Sequence, residues 1–120
     1  MMGRRRKKGP PKPTQRYVNW AIMAYLNRYS GPRSHVRRML WRKLDRCLSE
    51  HGGDRGDVHQ WIEQALDQAE QAGLINDLKY VQTKVRGYLR RGHSIRSIAH
   101  KLRAKGISSD MVHQVVQVIE

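Results

Sequence analysis

Basic side chains at helical spacing are the residues here best suited to chemistry. Arg38, Arg42 and Arg46 recur at i, i+4 and i+8, which sets them in one stripe along a helix. Lys79, Arg86 and Arg90 recur at i, i+7 and i+11, opposite an apolar face. Arg96, His100 and Arg103 repeat the arrangement, with Lys101 and Lys105 along the flank. Cations in such rows neutralise phosphates, giving binding with little sequence preference that weakens steeply with salt. One stripe alone is equally the solvated face of a surface helix. Three of them point to a polyanion, because seven of the ten acids are confined to Glu50, Asp54, Asp57, Glu63, Asp67, Glu70 and Asp77.

Other chemistry finds no support. The histidines His35, His51, His59, His93, His100 and His113 include no i, i+4 pair among themselves, so no metal site is expected. Cys47 lies between Leu44 and Leu48, in the manner of a small core residue, and one cysteine allows no internal disulfide, which suits a reducing compartment. No phosphate-binding glycine loop, nucleophile elbow or carboxylate pair marks an enzyme, and no cofactor is implied. Glu63 and Asp67 are better explained as a solvated face than as acid and base. The sequence RRGHS at 90–94 is placed to present backbone N–H groups to a phosphate at the start of the following helix.

The elements that position these cations are helices. The first 16 residues hold Arg4, Arg5, Arg6, Lys7, Lys8, Lys12 and Arg16, no acid, and three of the four prolines, which predicts a disordered basic arm. Beyond it, Val18, Ile22, Tyr25 and Leu26 share one helical face, ending near Tyr29. Val36, Leu40, Leu44, Cys47 and Leu48 share a second, stopped by HGG at 51–53. Asp57 is expected to cap a third that carries Val58, Ile62, Ala65 and Ala69, with Gly73 at its end. Asn76 or Asp77 opens a fourth with Leu78, Val81, Val85 and Tyr88 inward, stopped by Gly92. Ser94 opens a fifth with Ile95, Ile98, Ala99 and Leu102, stopped by Gly106. Ser108 or Ser109 opens a sixth with Val112, Val115, Val116 and Ile119. VVQVIE at 115–120 reads as strand by propensity alone.

The two halves repeat each other. YVNWAIMAYL at 17–26 and YVQTKVRGYL at 80–89 align at an offset of 63, which also pairs Arg28, Arg33, Ser34, Arg38, Met39 and Arg42 with Arg91, Arg96, Ser97, Lys101, Leu102 and Lys105. The offset then drops to 54, where VHQ at 58–60 meets VHQ at 112–114, leaving nine extra residues near the end of the first copy's second helix. The expected fold is all-α: two tandem three-helix repeats in an elongated array, residues 17–73 and 74–120 after the arm 1–16. With 120 residues and a net charge of +14, such a chain suits nucleic acid as partner. A ribosomal or otherwise basic solubilised protein is the plainer alternative. No apolar run is long enough to cross a membrane and no apolar stretch follows the basic start, so a soluble, cytoplasmic monomer is expected.

Residues 73–108, GLINDLKYVQTKVRGYLRRGHSIRSIAHKLRAKGIS, resemble the second repeat of the RecX family, regulatory proteins that modulate the RecA recombinase in bacteria. The family's pattern positions fall on Gly73, Leu74, Ile75, Asn76, Asp77, Tyr80, Arg91, Gly92, Lys105, Gly106 and Ile107. SHVRRMLWRKL at 34–44 is similar, more loosely, to the first repeat. Family members commonly have a third repeat, which is absent here, and the arm is longer than the pattern requires. The resemblance implies a non-catalytic regulator that lies along the RecA–single-stranded-DNA filament, bridges protomers, and hinders its extension or promotes its disassembly. Its contacts would be the three stripes, Arg91 and the basic arm. The alternative is a general nucleic-acid binder without RecA specificity.

Overall fold

A computed structural model describes residues 9–119. Six helices follow one another: α1 (Gln15–Leu26), α2 (Arg33–His51), α3 (Arg55–Gln71), α4 (Asp77–Arg90), α5 (Ile95–Arg103) and α6 (Ser109–Ile119). There is no strand among the described residues, and VVQVI continues α6. The array measures 59 × 34 × 24 Å.

Each three-helix repeat has its own core. In the first, α3 packs across α1 and α2, burying Val18, Ile22, Val36, Leu40, Leu44, Cys47, Val58, Ile62 and Leu66. In the second, α6 packs across α4 and α5 over Val81, Val85, Ile98, Leu102, Val112, Val115 and Val116. Ile75, just past α3, belongs to the first core, so that core reaches beyond Gly73. No polar or charged residue is buried among the described residues, so apolar packing alone holds each core. Neither repeat is large. Modules this short bury too small a fraction of their surface to be strongly stable alone.

The punctuation agrees with the sequence at most helix ends. Asn76 Oδ1 accepts from Lys79 N–H at 3.0 Å, Ser94 Oγ from Ser97 N–H at 3.1 Å, and Ser108 Oγ from Met111 N–H at 3.2 Å. Gly73, Gly92 and Gly106 take the left-handed conformation that ends α3, α4 and the turn after α5.

Several expectations need correction. The cap of α3 is Asp54, which accepts from Gly56 and Asp57 N–H; Asp57 sits inside the first turn. Gly56 resembles a breaker, but near a helix start its cost is small. The nine extra residues lengthen α2 itself, which has 19 residues against nine in α5. α1 ends at Leu26, before Tyr29, and begins at Gln15, inside the stretch expected to be arm. Thr14 caps it by accepting from Tyr17 N–H, and Pro10 O lies 2.7 Å from His51 Nε2. Arg4, Arg5, Arg6, Lys7 and Lys8 lie outside the described residues. Leu78, expected inward, is half exposed, and so is Trp20, which stacks on Tyr17 at 5.8 Å.

The repeats meet at a narrow joint. α2 has Pro32 at its cap position, with no side-chain oxygen to receive its first N–H groups. Asp77 of the second repeat supplies one, its Oδ1 accepting from Arg33 N–H at 2.8 Å. Ser34 Oγ donates to Lys105 O at 2.7 Å.

Candidate nucleic-acid interface

The acids and the cations separate once the helices pack. Turning its apolar side to α3 brings the flanking Arg33 and Arg37 of α2 against three carboxylates of α3. Arg37 Nε and Nη2 donate to Glu63 at 2.7 and 2.9 Å. Arg33 reaches Glu63 at 3.2 Å, Asp67 at 2.8 Å and also Glu70. The Arg37 hydrogen bonds hold the Glu63 carboxyl below the usual carboxylate range, against the opposing effect of partial burial. Elsewhere Asp45 pairs with Arg55, whose guanidinium also lies 4.2 Å from the centre of the Trp41 ring. Asp54 and Asp77 accept backbone N–H groups at helix starts. The acidic helix therefore spends much of its charge inside the first repeat.

The cations singled out by spacing are left over. Arg38, Arg42 and Arg46 are exposed along α2, and Lys79, Arg86 and Arg90 along α4. Arg96, Lys101 and Arg103 are exposed on α5. Arg91 is the residue just past α4, its guanidinium 5.1 Å from the Tyr88 ring centre. Among the described residues, none of these takes part in an ion pair. Lys105 departs from its expected place: α5 ends at Arg103, so Lys105 lies in the following turn, half-buried, with its carbonyl on Ser34.

Two clefts gather part of the set. Lys79 and Lys105 share a cleft at the joint with Lys84, His35 and Tyr80. Arg96, His100 and Arg103 share a shallower one between α5 and α6, where Arg103 Nη2 donates to Ser109 Oγ at 2.8 Å. Arg38, Arg42 and Arg46 line neither. At RRGHS, the Ser97 N–H is taken by Ser94 Oγ and the His93 N–H by Tyr88 O. Spacing did not single out Arg33 and Arg37, whose role is structural, nor Lys84, which joins the set only through the fold.

The remaining chemistry is sparse. Cys47 is buried and burial pushes its thiol up, the reverse of what a nucleophile needs. No cluster of three or more metal-ligating side chains occurs among the described residues. No helix among them is long and apolar enough to cross a membrane.

Residues 76–116 match the family model for the second three-helix domain of RecX. Regulatory protein RecX of Myxococcus xanthus (strain DK1622) is 35% identical over 116 residues, covering 94% of this chain and 62% of that protein. The second repeat is a RecX three-helix domain. Regulatory protein RecX of Halorhodospira halophila (strain DSM 244 / SL1) is 31% identical over 88 residues, 73% of this chain and 50% of that protein. The chain therefore spans between half and 62% of the length of these RecX relatives. No solved structure matches it. All candidate cations of α4, α5 and the turn after it fall inside the matched RecX segment.

Proposed function

We propose that this chain is a regulator of recombinase that binds the RecA–single-stranded-DNA filament and restrains it by occupancy, without catalysis or cofactor. One observation supports this most: α3 acids are tied to Arg33 and Arg37, while the exposed cations of α2, α4 and α5 have no carboxylate partner among the described residues. An elongated array with unpaired cations on both repeats suits a repeating polyanion better than a point ligand. The names of its RecX relatives add regulation. In this reading the protein acts as a monomer in the cytoplasm, and the segment 1–8 adds a basic tether.

The test is RecA's single-stranded-DNA-dependent ATP hydrolysis as the chain is titrated in, with and without residues 1–8. The deletion stops there because Pro10 and Thr14 contact the first repeat. Inhibition at protein levels too low to coat the DNA, surviving the deletion, supports filament regulation. Inhibition only at saturating coverage favours the second reading, a general nucleic-acid binder, which the unpaired charge also supports.

A further inference from the structure

The joint between the repeats encloses a cleft of about 690 Å³. One wall is the loop before α2, with Ser30, and the first turn of α2, with His35; the other is a face of α4 carrying Lys79, Tyr80 and Lys84; Lys105 closes it from the turn after α5. No acid lines it. The carboxylates nearest in sequence are engaged elsewhere, Asp77 on Arg33 N–H and Glu70 on the Arg33 guanidinium. Three lysines line it, two from α4 and one from the turn after α5, and none has a carboxylate partner among the described residues. Lys84 Nζ stands 5.7 Å from the Tyr80 ring centre, so cation and aromatic ring sit side by side.

We propose that this inter-repeat cleft is a binding site for the sugar-phosphate backbone of single-stranded nucleic acid, with Lys79, Lys84 and Lys105 on phosphates and the Tyr80 ring available to a base. Its volume is that of a pocket for one drug-sized ligand, so it takes on the order of one or two nucleotides of a strand and excludes a duplex. A half-buried aromatic beside cations is the combination that single-strand binders use. Because the cleft is lined by the start of α2 on one side and by α4 and Lys105 on the other, a strand lying in it bridges the two repeats. The proposal rests on the nucleic-acid part of the function proposed above and assigns that contact to the joint.

The test uses the full chain and fluorescein-labelled oligo(dT), followed by anisotropy across a salt series, for wild type, K79A/K84A and K79R/K84R. Melting curves verify that the variants fold, and neither lysine carries an ion pair whose loss would unfold them. The double alanine variant is expected to lower the log–log salt slope by about 1.4, two contacts at ~0.7 each, with the arginine pair restoring it. Photocrosslinking to an oligonucleotide carrying 5-iododeoxyuridine is expected to label Tyr80. Wild-type binding with an unchanged slope in K79A/K84A and label elsewhere would overturn the cleft while leaving nucleic-acid binding intact. No wild-type binding overturns both. Displacement of the oligonucleotide by millimolar inorganic phosphate or thymidine monophosphate alone would reassign the cleft to small phosphates.

Discussion

Ser34 and Gly106 face each other across the joint so closely that a Cβ added to Gly106 would fall 2.6 Å from the Ser34 Cβ, and nearer still to its hydroxyl. Gly106 also has a φ of +87°, a conformation that costs other L residues energy. Gly106→Ala is therefore expected to destabilise the second repeat by about 1 kcal/mol through its backbone, and to break the Ser34–Lys105 hydrogen bond as well. Ser34→Ala removes only that bond, a loss of about 0.5–1.5 kcal/mol. Thermal melts of both variants check the order; equal losses would show that the close approach carries no weight.

Asp77 caps a helix that belongs to the other repeat. Asp77→Ala should cost about 1 kcal/mol, typical of a lost N-cap, yet be felt in α2 as well as α4. Amide exchange at Arg33 and the next residues is the measurement. Faster exchange confined to α4 would contradict the cross-repeat cap.

The separate cores predict separable unfolding. Leu66→Ala and Leu102→Ala each empty a fully buried site and should cost about 2–5 kcal/mol in their own repeat. Native-state hydrogen exchange should show each loss largely restricted to one set of three helices. Uniform loss across all six would mean that the joint couples the repeats far more strongly than two hydrogen bonds allow.

Glu63 makes part of the stability depend on pH. Its carboxyl is held below its ordinary value of 4.5, chiefly by the Arg37 hydrogen bonds. A depressed folded-state value means that the stabilisation is complete above the ordinary value and is lost as pH falls through the lowered one. Wild type should therefore lose stability on that acid limb, and Glu63→Gln should start roughly 1–2 kcal/mol lower at neutral pH and show a shallower limb. Parallel curves from urea melts would exclude Glu63 as the source.

Converting Arg86, Arg90, Arg96 and Arg103 to Ala should lower the salt slope of single-stranded-DNA binding by up to about 2.8 if all four touch phosphates. An unchanged slope would shift the contact to α2 and the arm.

The sequence made the helices legible because period and punctuation agree: Val58, Ile62, Ala65 and Ala69 all lie inward, and Asn76, Ser94 and Gly73 sit where the caps are. Leu78 failed because α4 shows only a narrow stripe to α5 and α6, so a residue one step off that stripe remains outside. For the candidate site, the stripes on α2, α4 and α5 were visible from spacing alone. Arg33 and Arg37 were not separable from Arg38 and Arg42, since all four are arginines four apart; which pair meets carboxylates depends on how α2 lies on α3. The joint was invisible for a related reason. Its bonds span 44 and 71 residues, and no local pattern announces a serine that needs a distant glycine.

The offset of 63 that pairs the repeats places Arg96 and Ser97 at the start of α5 where Arg33 and Ser34 start α2. The dipeptide that fastens one repeat to the next is thus written twice and engaged once among the described residues. Arg33 spends its charge on Glu63, Asp67 and Glu70, whereas Arg96 stands exposed and without an acid. Duplication has turned a mortise into a handhold: one chemistry serves as internal joinery in the first copy and as open surface in the second.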